Sequence, residues 1–331
     1  MENLTQNVIG SEDEVGFVKR TILNFIGITE GSITVTFNCI IVLTIALSPK
    51  LNCRKELRLV SAQCLTDALY GVGYILGGSR RQYLLIVDRL QEPTTAWDCM
   101  KQPMIFFYLF SPQVSAFMNV AISIDRIFAI GNPAYYATLR STYAVILTSS
   151  PVVLSSISFG YAFVMSYIEG QTIIVTQECL STWASTEGYA VFHPALICVS
   201  EVMSVMLYGV VMYLLKYKYR SSVPAVQSIQ TKRQVKMTKT MGMVVACTFC
   251  LYVIPWLLIV TMNAFGANHG AFAALSIFLW LLIQGNNVVN ICIYWWRFKE
   301  IKTVLRSKLC GEKSLFSGDL KVYPFQHQQT T

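Results

Sequence analysis

Seven runs of mostly apolar residues alternate with short polar segments along the chain, at about 22–47, 57–78, 103–130, 143–166, 189–215, 237–265 and 271–296. Each is long enough for an α-helix, rising about 1.5 Å per residue, to cross a hydrocarbon core roughly 30 Å thick. Residues 1–21 are polar and rich in acids, and read as an N-terminal tail. Residues 297–309 alternate Phe298, Ile301, Val304 and Leu305 with Arg297, Lys299 and Lys302, the pattern of an amphipathic helix lying on a membrane surface. Residues 310–331 read as a polar tail. The expected fold is all-α and integral to a membrane: a seven-transmembrane helix bundle followed by a short amphipathic helix.

Composition supports that expectation. The chain is 54% hydrophobic and only 13% charged, against roughly 25% charged in soluble domains. Spans on this scale leave no room for a large soluble domain in 331 residues. A net charge of +8 raises the question of nucleic acid, but the basic residues gather in alternate loops. Lys50, Arg54, Lys55 and Arg58 follow the first span, and Lys216, Lys218, Arg220, Lys232, Arg233, Lys236 and Lys239 join the fifth to the sixth. The loop between the fourth and fifth spans holds Glu169, Glu178 and Glu187 with no Lys or Arg. The positive-inside rule then places the N-terminus outside and the C-terminus in the cytoplasm, and a multi-pass protein of the plasma membrane is expected. The same basic loops also suit anionic lipid.

Residues 1–21 lack an apolar signal core, so no cleaved signal peptide is expected. Asn3-Leu4-Thr5 is a glycosylation sequon, and Cys310 is available for palmitoylation after the amphipathic segment. Cys39, Cys64, Cys198, Cys247, Cys250 and Cys292 lie in apolar stretches without metal-ligand spacing and read as buried thiols. His193 and His269 fall near the outer side and His327 in the tail, with no HExxH and no paired acids, so no enzyme is expected.

The charged positions inside the spans carry the chemistry. Asp125 and Arg126 close the third span, and Asp67 sits within the second, where a charge costs roughly 2.5 to 3.5 kcal/mol unless paired or hydrated. The string Ser123-Ile124-Asp125-Arg126-Ile127-Phe128-Ala129-Ile130, continuing to Pro133 and Tyr136, resembles the end of the third helix in rhodopsin-like (class A) G-protein-coupled receptors. That resemblance gives Asp125 and Arg126 the coupling role. A local, purely structural ion pair is the alternative.

Other features follow from the resemblance. Ser115, Asn286, Asn287 and Asn290 match the family's polar cluster around Asp67, and with Asn38 they form either a hydrated Na⁺ site or a hydrogen-bonded packing network. Asn290-Ile291-Cys292-Ile293-Tyr294 looks like NPxxY with Ile291 in place of proline, which implies a straighter seventh helix. Tyr208 and Tyr294 correspond to the tyrosines that move toward the arginine on activation, membrane-interface anchoring being the competing reading. Pro255 keeps the sixth-helix hinge, whereas Val253 replaces the usual tryptophan. Cys99 and Cys179 match the family's disulfide between the third helix and the second outer loop.

The position twenty residues before Pro255 is Val235. With no acid there, Asp125 is expected to be the sole restraint on Arg126. Glu201, in the fifth span, either reaches a ligand cavity with Phe107, Phe110, Gln113 and Trp256 or is a buried acid bonded to a neighbouring helix. The departures from the family pattern look most like the nematode chemosensory serpentine receptors. The resemblance implies a receptor that passes binding of an extracellular chemical or peptide ligand to a heterotrimeric G protein, with Na⁺ the one cofactor considered. A seven-helix transporter or ligand-gated channel is the alternative.

Overall fold

The computed structural model describes residues 2–139, 141–221, 229–264 and 270–310. The long helices are α1 (Glu2–Ala46), α3 (Lys55–Ile86), α5 (Pro103–Gly131), α7 (Ser141–Glu169), α9 (Glu187–Ser221) and α12 (Gly270–Arg297). A seventh rod, sixth in chain order, is composite: α10 (Ile229–Thr248), one π-helical segment (Phe249–Val253) and α11 (Ile254–Ala264). Short helices α2 (Pro49–Asn52), α4 (Ala96–Met100), α6 (Pro133–Thr138) and α8 (Ser181–Ala184) sit in the connections, and α13 (Lys299–Cys310) follows the bundle. Among the described residues seven segments are long and apolar enough to span a membrane: Gly16–Ala46, Lys55–Ile86, Pro103–Gly131, Thr142–Glu169, Glu187–Tyr217, Gln234–Met262 and Ile277–Arg297. The protein is an all-α, multi-pass membrane bundle.

Its helices overrun the apolar runs read from the sequence. α1 begins at Glu2, within the segment read as a tail, because residues 2–46 contain no proline and hydrogen bonding continues past the lipid-compatible part. Proline marks several starts instead. Pro103 occupies the first turn of α5, and Pro133 opens α6 behind an Asn132 cap whose side chain accepts from the Tyr135 amide at 3.1 Å.

Pro255 lies two residues after the π segment. Its ring would clash with the Leu251 carbonyl in a regular helix, and the wider π turn over Phe249–Val253 relieves that clash. α12, with Ile291 where proline would stand, continues from Gly270 to Arg297 without a break.

Packing is closest between α1 and α3. A Cβ on Gly31 would lie 2.6 Å from the Gly71 carbonyl oxygen, and one on Gly71 would lie 2.9 Å from that of Gly31. Small residues here allow backbone contact in a setting where lipid provides no hydrophobic drive. The largest buried apolar cluster joins Ile41, Leu57, Val60, Met118, Met241 and Tyr294.

One end of the bundle carries a feature the apolar pattern did not announce. β1 (Pro93–Thr95) pairs antiparallel with β2 (Ile174–Thr176), Thr94 opposite Val175, and Cys99 is disulfide-bonded to Cys179 beside this ribbon. Arg80 and Arg81 of α3 donate to the carbonyls of Gln177 and Glu178, tying the same connection to the bundle. The Thr95 hydroxyl caps α4 by accepting from the Asp98 amide at 3.0 Å. Lys101 and Thr95 hold the Asp98 carboxyl below its usual range.

The cysteines divide. Cys64 is buried, but Cys250 and Cys292 are exposed on the bundle's perimeter rather than in its core. Asn3 and Cys310 belong to helices, though their side chains lie outside the described residues, as do residues 311–331 and His269.

Candidate functional site

At the bundle end opposite the disulfide, Arg126 and Asp125 are fully buried, 1% and 0% exposed. The ion pair joins adjacent residues of one helix, Nε of Arg126 donating to Asp125 Oδ2 at 3.0 Å and Nη2 to the same oxygen. Nη1 donates to Gln234 Oε1 of α10 at 2.9 Å, and Nη2 to the Tyr136 hydroxyl of α6 at 3.3 Å. Gln234 Nε2 in turn donates to Glu56 Oε1 of α3.

Arg126 is therefore held across helices. The expectation that Asp125 alone restrains it is corrected: the residue before Val235 supplies a neutral amide, whose oxygen accepts a hydrogen bond from Arg126 and whose nitrogen donates one to Glu56. Lys55 adds a brace, donating to the carbonyls of Tyr136 at 2.7 Å and Leu139 at 2.6 Å. Burial pushes the Tyr136 phenol far above its usual range, so it serves here as a neutral hydrogen-bonding group.

Toward the middle of the bundle a cavity of about 20 Å³, room for one water molecule or small ion, opens between α3, α5, α9, α12, the end of α10 and the π segment. Asp67 and Glu201 both line it. Gln63, one turn before Asp67, donates to Asp67 Oδ1 at 3.2 Å and to Ser115 Oγ at 2.6 Å. Both Glu201 oxygens accept from Asn119 Nδ2, at 2.9 and 3.2 Å. Several buried atoms of its lining have no partner: Asp67 Oδ2, Ser111 Oγ, Thr248 Oγ1, Asn286 Oδ1 and Asn287 Nδ2. Hard oxygens with unfilled lone pairs around a water-sized void fit water or a small hard cation.

A family model described as serpentine type 7TM GPCR chemoreceptor Srsx matches residues 32–309, most of the chain, including both of these regions. The chain belongs to the Srsx family of serpentine chemoreceptors. A search of curated proteins finds no match.

In this Srsx receptor the residues singled out from sequence divide among several places. Asp67, Ser115, Asn286 and Asn287 share the cavity, and Asn290 lies beside Asp67. Asn38 instead donates to Thr34 O on its own helix at 3.0 Å, and no hydrogen bond joins it to Asp67. Tyr208 donates to the Thr238 carbonyl, and Tyr294 packs on Phe298 with ring centres 6.0 Å apart and its hydroxyl unpartnered. Neither is hydrogen-bonded to Arg126.

The grouping of Glu201 with Phe107, Phe110, Gln113 and Trp256 is not what the fold makes. Gln113 donates to the Tyr189 hydroxyl at 3.0 Å, Phe110 stacks on Phe106 and Trp256 sits against Trp280. Phe107 packs on Gly73. Glu201 joins Asp67 instead. Sequence reasoning missed Gln63, Asn119, Glu56 and Gln234. Gln63 was within reach, since four residues before Asp67 is the same helical face. Gln234 was not, because its partners lie on α3 and α5.

Proposed function

We propose that this protein is a chemosensory receptor which converts ligand binding near the disulfide-bonded end into heterotrimeric G-protein activation at the Arg126 end. The N-terminus then faces outside, and the basic residues at the end of α9 and the start of α10, from Lys216 to Lys239, face the cytoplasm. The observation that carries the reading is the buried Arg126, bonded at once to α5, α6 and α10 in a chain of a serpentine GPCR family.

In this reading the three-helix network is the resting arrangement. A ligand favours the other state by its differential affinity, typically about 1 to 3 kcal/mol of coupling. Activation breaks the Gln234 contact, α10 moves outward at the π segment and Pro255, and Tyr208 and Tyr294 turn toward the freed guanidinium. In the resting state Asp67, Ser111, Ser115 and Thr248 would hold a Na⁺ in the Asp67–Glu201 cavity, where it would supply positive charge beside the two acids of the low-dielectric core.

The test is G-protein activation by wild type and Arg126→Ala at matched surface expression. Loss of a basal or ligand-evoked signal in the variant is expected. Ion flux through the wild-type protein with no G-protein dependence would replace this reading with a transporter or channel.

A further inference from the structure

Two neighbouring charges in the first turn of α3 reach the Arg126 network by different routes. Lys55 and Glu56 stand about 100° apart around the helix, so their side chains leave it toward different neighbours. Glu56 accepts from Gln234 of α10, which itself accepts from Arg126. Lys55 turns to α6.

α6 runs for fewer than two turns, and Tyr136 is its buried residue, while Pro133, Ala134, Tyr135, Ala137 and Thr138 are exposed. A helix this short is not stable by itself. Its last carbonyls have no partner within it, because the backbone becomes extended at Leu139. Lys55 fills that gap. Its Nζ donates to Tyr136 O at 2.7 Å and to Leu139 O at 2.6 Å, and lies 4.6 Å from the centre of the Tyr136 ring. A cation here also meets the negative end of the helix dipole.

Tyr136 is thus held by Lys55 at its backbone and ring, and its hydroxyl meets the arginine. That hydroxyl accepts from Arg126 Nη2 at 3.3 Å and lies 3.5 Å from Asp125 Oδ2. A 3.3 Å bond is already at the long end of the usual range, so a small shift of the ring breaks it.

We propose that Lys55 is a positioning residue for Arg126: by fixing α6 and the Tyr136 ring it places the hydroxyl that restrains the guanidinium. The inference rests on the reading of Arg126 as the group whose release opens the bundle. It makes the first turn of α3 the common anchor of two restraints, Tyr136 from α6 and Gln234 from α10. Without Lys55 the ring drifts, the hydroxyl bond is lost and the balance moves toward the open state.

Opening is read without any G protein, on the full chain in lipid nanodiscs carrying Thr238→Cys. Thr238 of α10 is fully buried, so a water-soluble maleimide reaches a thiol there when α10 moves. The alkylation rate, followed by mass spectrometry of that peptide, scales with the open fraction. Lys55→Met should raise it about three-fold, and so should Tyr136→Phe, which deletes the hydroxyl and keeps the ring. Combined, they should still give about three-fold, since both break one link; independent effects would multiply to about nine-fold. Lys55→Arg keeps a cation with several N–H donors and should return the rate to near wild type. Hydrogen exchange of the α6 amides, measured alongside, should quicken in Lys55→Met. Quicker exchange in α6 with an unchanged alkylation rate would make Lys55 a local brace and overturn the proposal. A nine-fold double variant, or no restoration by arginine, would overturn it too. Basal nucleotide exchange on a G protein is measured in parallel: the expected alkylation pattern without any exchange upholds the positioning role and counts against the coupling reading alone.

Discussion

Replacing Gln234 by leucine cuts the bridge between Arg126 and Glu56 while leaving the Asp125 ion pair and the Tyr136 contact in place. Gln234 makes two hydrogen bonds to charged groups, at 2.9 Å from Arg126 and to Glu56. Such bonds contribute about 1.5 to 3 kcal/mol each when buried. Gln234 is only half-buried and leucine packs in return, so a net loss of about 1.5 kcal/mol from the resting state is reasonable. That raises the ratio of active to resting receptor about ten-fold, turning an active fraction of about 1% into about 10%.

The assay is basal nucleotide exchange on a co-expressed G protein, with surface expression matched. A parallel measurement is the distance between spin labels on α3 and α10, which reads the opening without any G protein. Gln234→Glu offers Arg126 a second carboxylate but sets it against Glu56, so the single change should leave basal exchange near wild type. Adding Glu56→Gln removes the repulsion, and the double variant should fall below wild type. Unchanged exchange and unchanged α3–α10 distance in Gln234→Leu would refute the claim that this neutral bridge restrains the arginine. Widened distance with no exchange would preserve the bridge and refute the coupling role.

Asn119→Leu removes the amide nitrogen that donates to both oxygens of the buried Glu201 carboxylate and should lower the thermal stability of the purified receptor by about 1 to 3 kcal/mol; Glu201→Leu in the same background should recover most of the loss, and no recovery would show that Asn119 acts elsewhere. Gly71→Val places a branched side chain where even a Cβ would approach the Gly31 carbonyl to 2.9 Å, so a loss of about 1 to 3 kcal/mol is expected by thermal shift, and a stability equal to wild type would contradict the close α1–α3 crossing. Asp98, held below its usual range by Lys101 and Thr95, adds stability to the disulfide end that is present above its unfolded-state pKa and lost as pH falls through the lower folded value. Protection of the α4 amides, taken relative to their intrinsic exchange rates, should therefore fall in acid in wild type, by a small amount because the group is exposed, and lose that dependence in Asp98→Asn.

The seven spans were legible because a bilayer tests each segment almost independently. About twenty apolar residues must satisfy their own backbone within the segment, and an uninterrupted helix is the way a single run does so. The motif around Asp125 and Arg126 was legible for a related reason, since these neighbours are adjacent in sequence and their ion pair needs no other helix. Cys99 and Cys179 were matched through family resemblance, and the structure joins them. The ribbon beside them was hidden: three residues in each strand, with Ile174 and Val175 the apolar pair, are too short a pattern to stand out from a loop.

Sequence by itself determined the membrane class, the number of crossings and the identity of the acids and the arginine placed within them, all local consequences of hydropathy. Tertiary structure decided which of those groups meet. It brought Glu201 to the cavity of Asp67 and away from Gln113 and Trp256, and gave Arg126 its amide from Gln234. Those outcomes depend on helix rotation and on contacts between residues more than a hundred positions apart, such as Arg126 and Gln234. A helix turns 100° per residue, so small differences in register move a side chain from the core to the lipid, and no single segment's pattern fixes its neighbours' rotation.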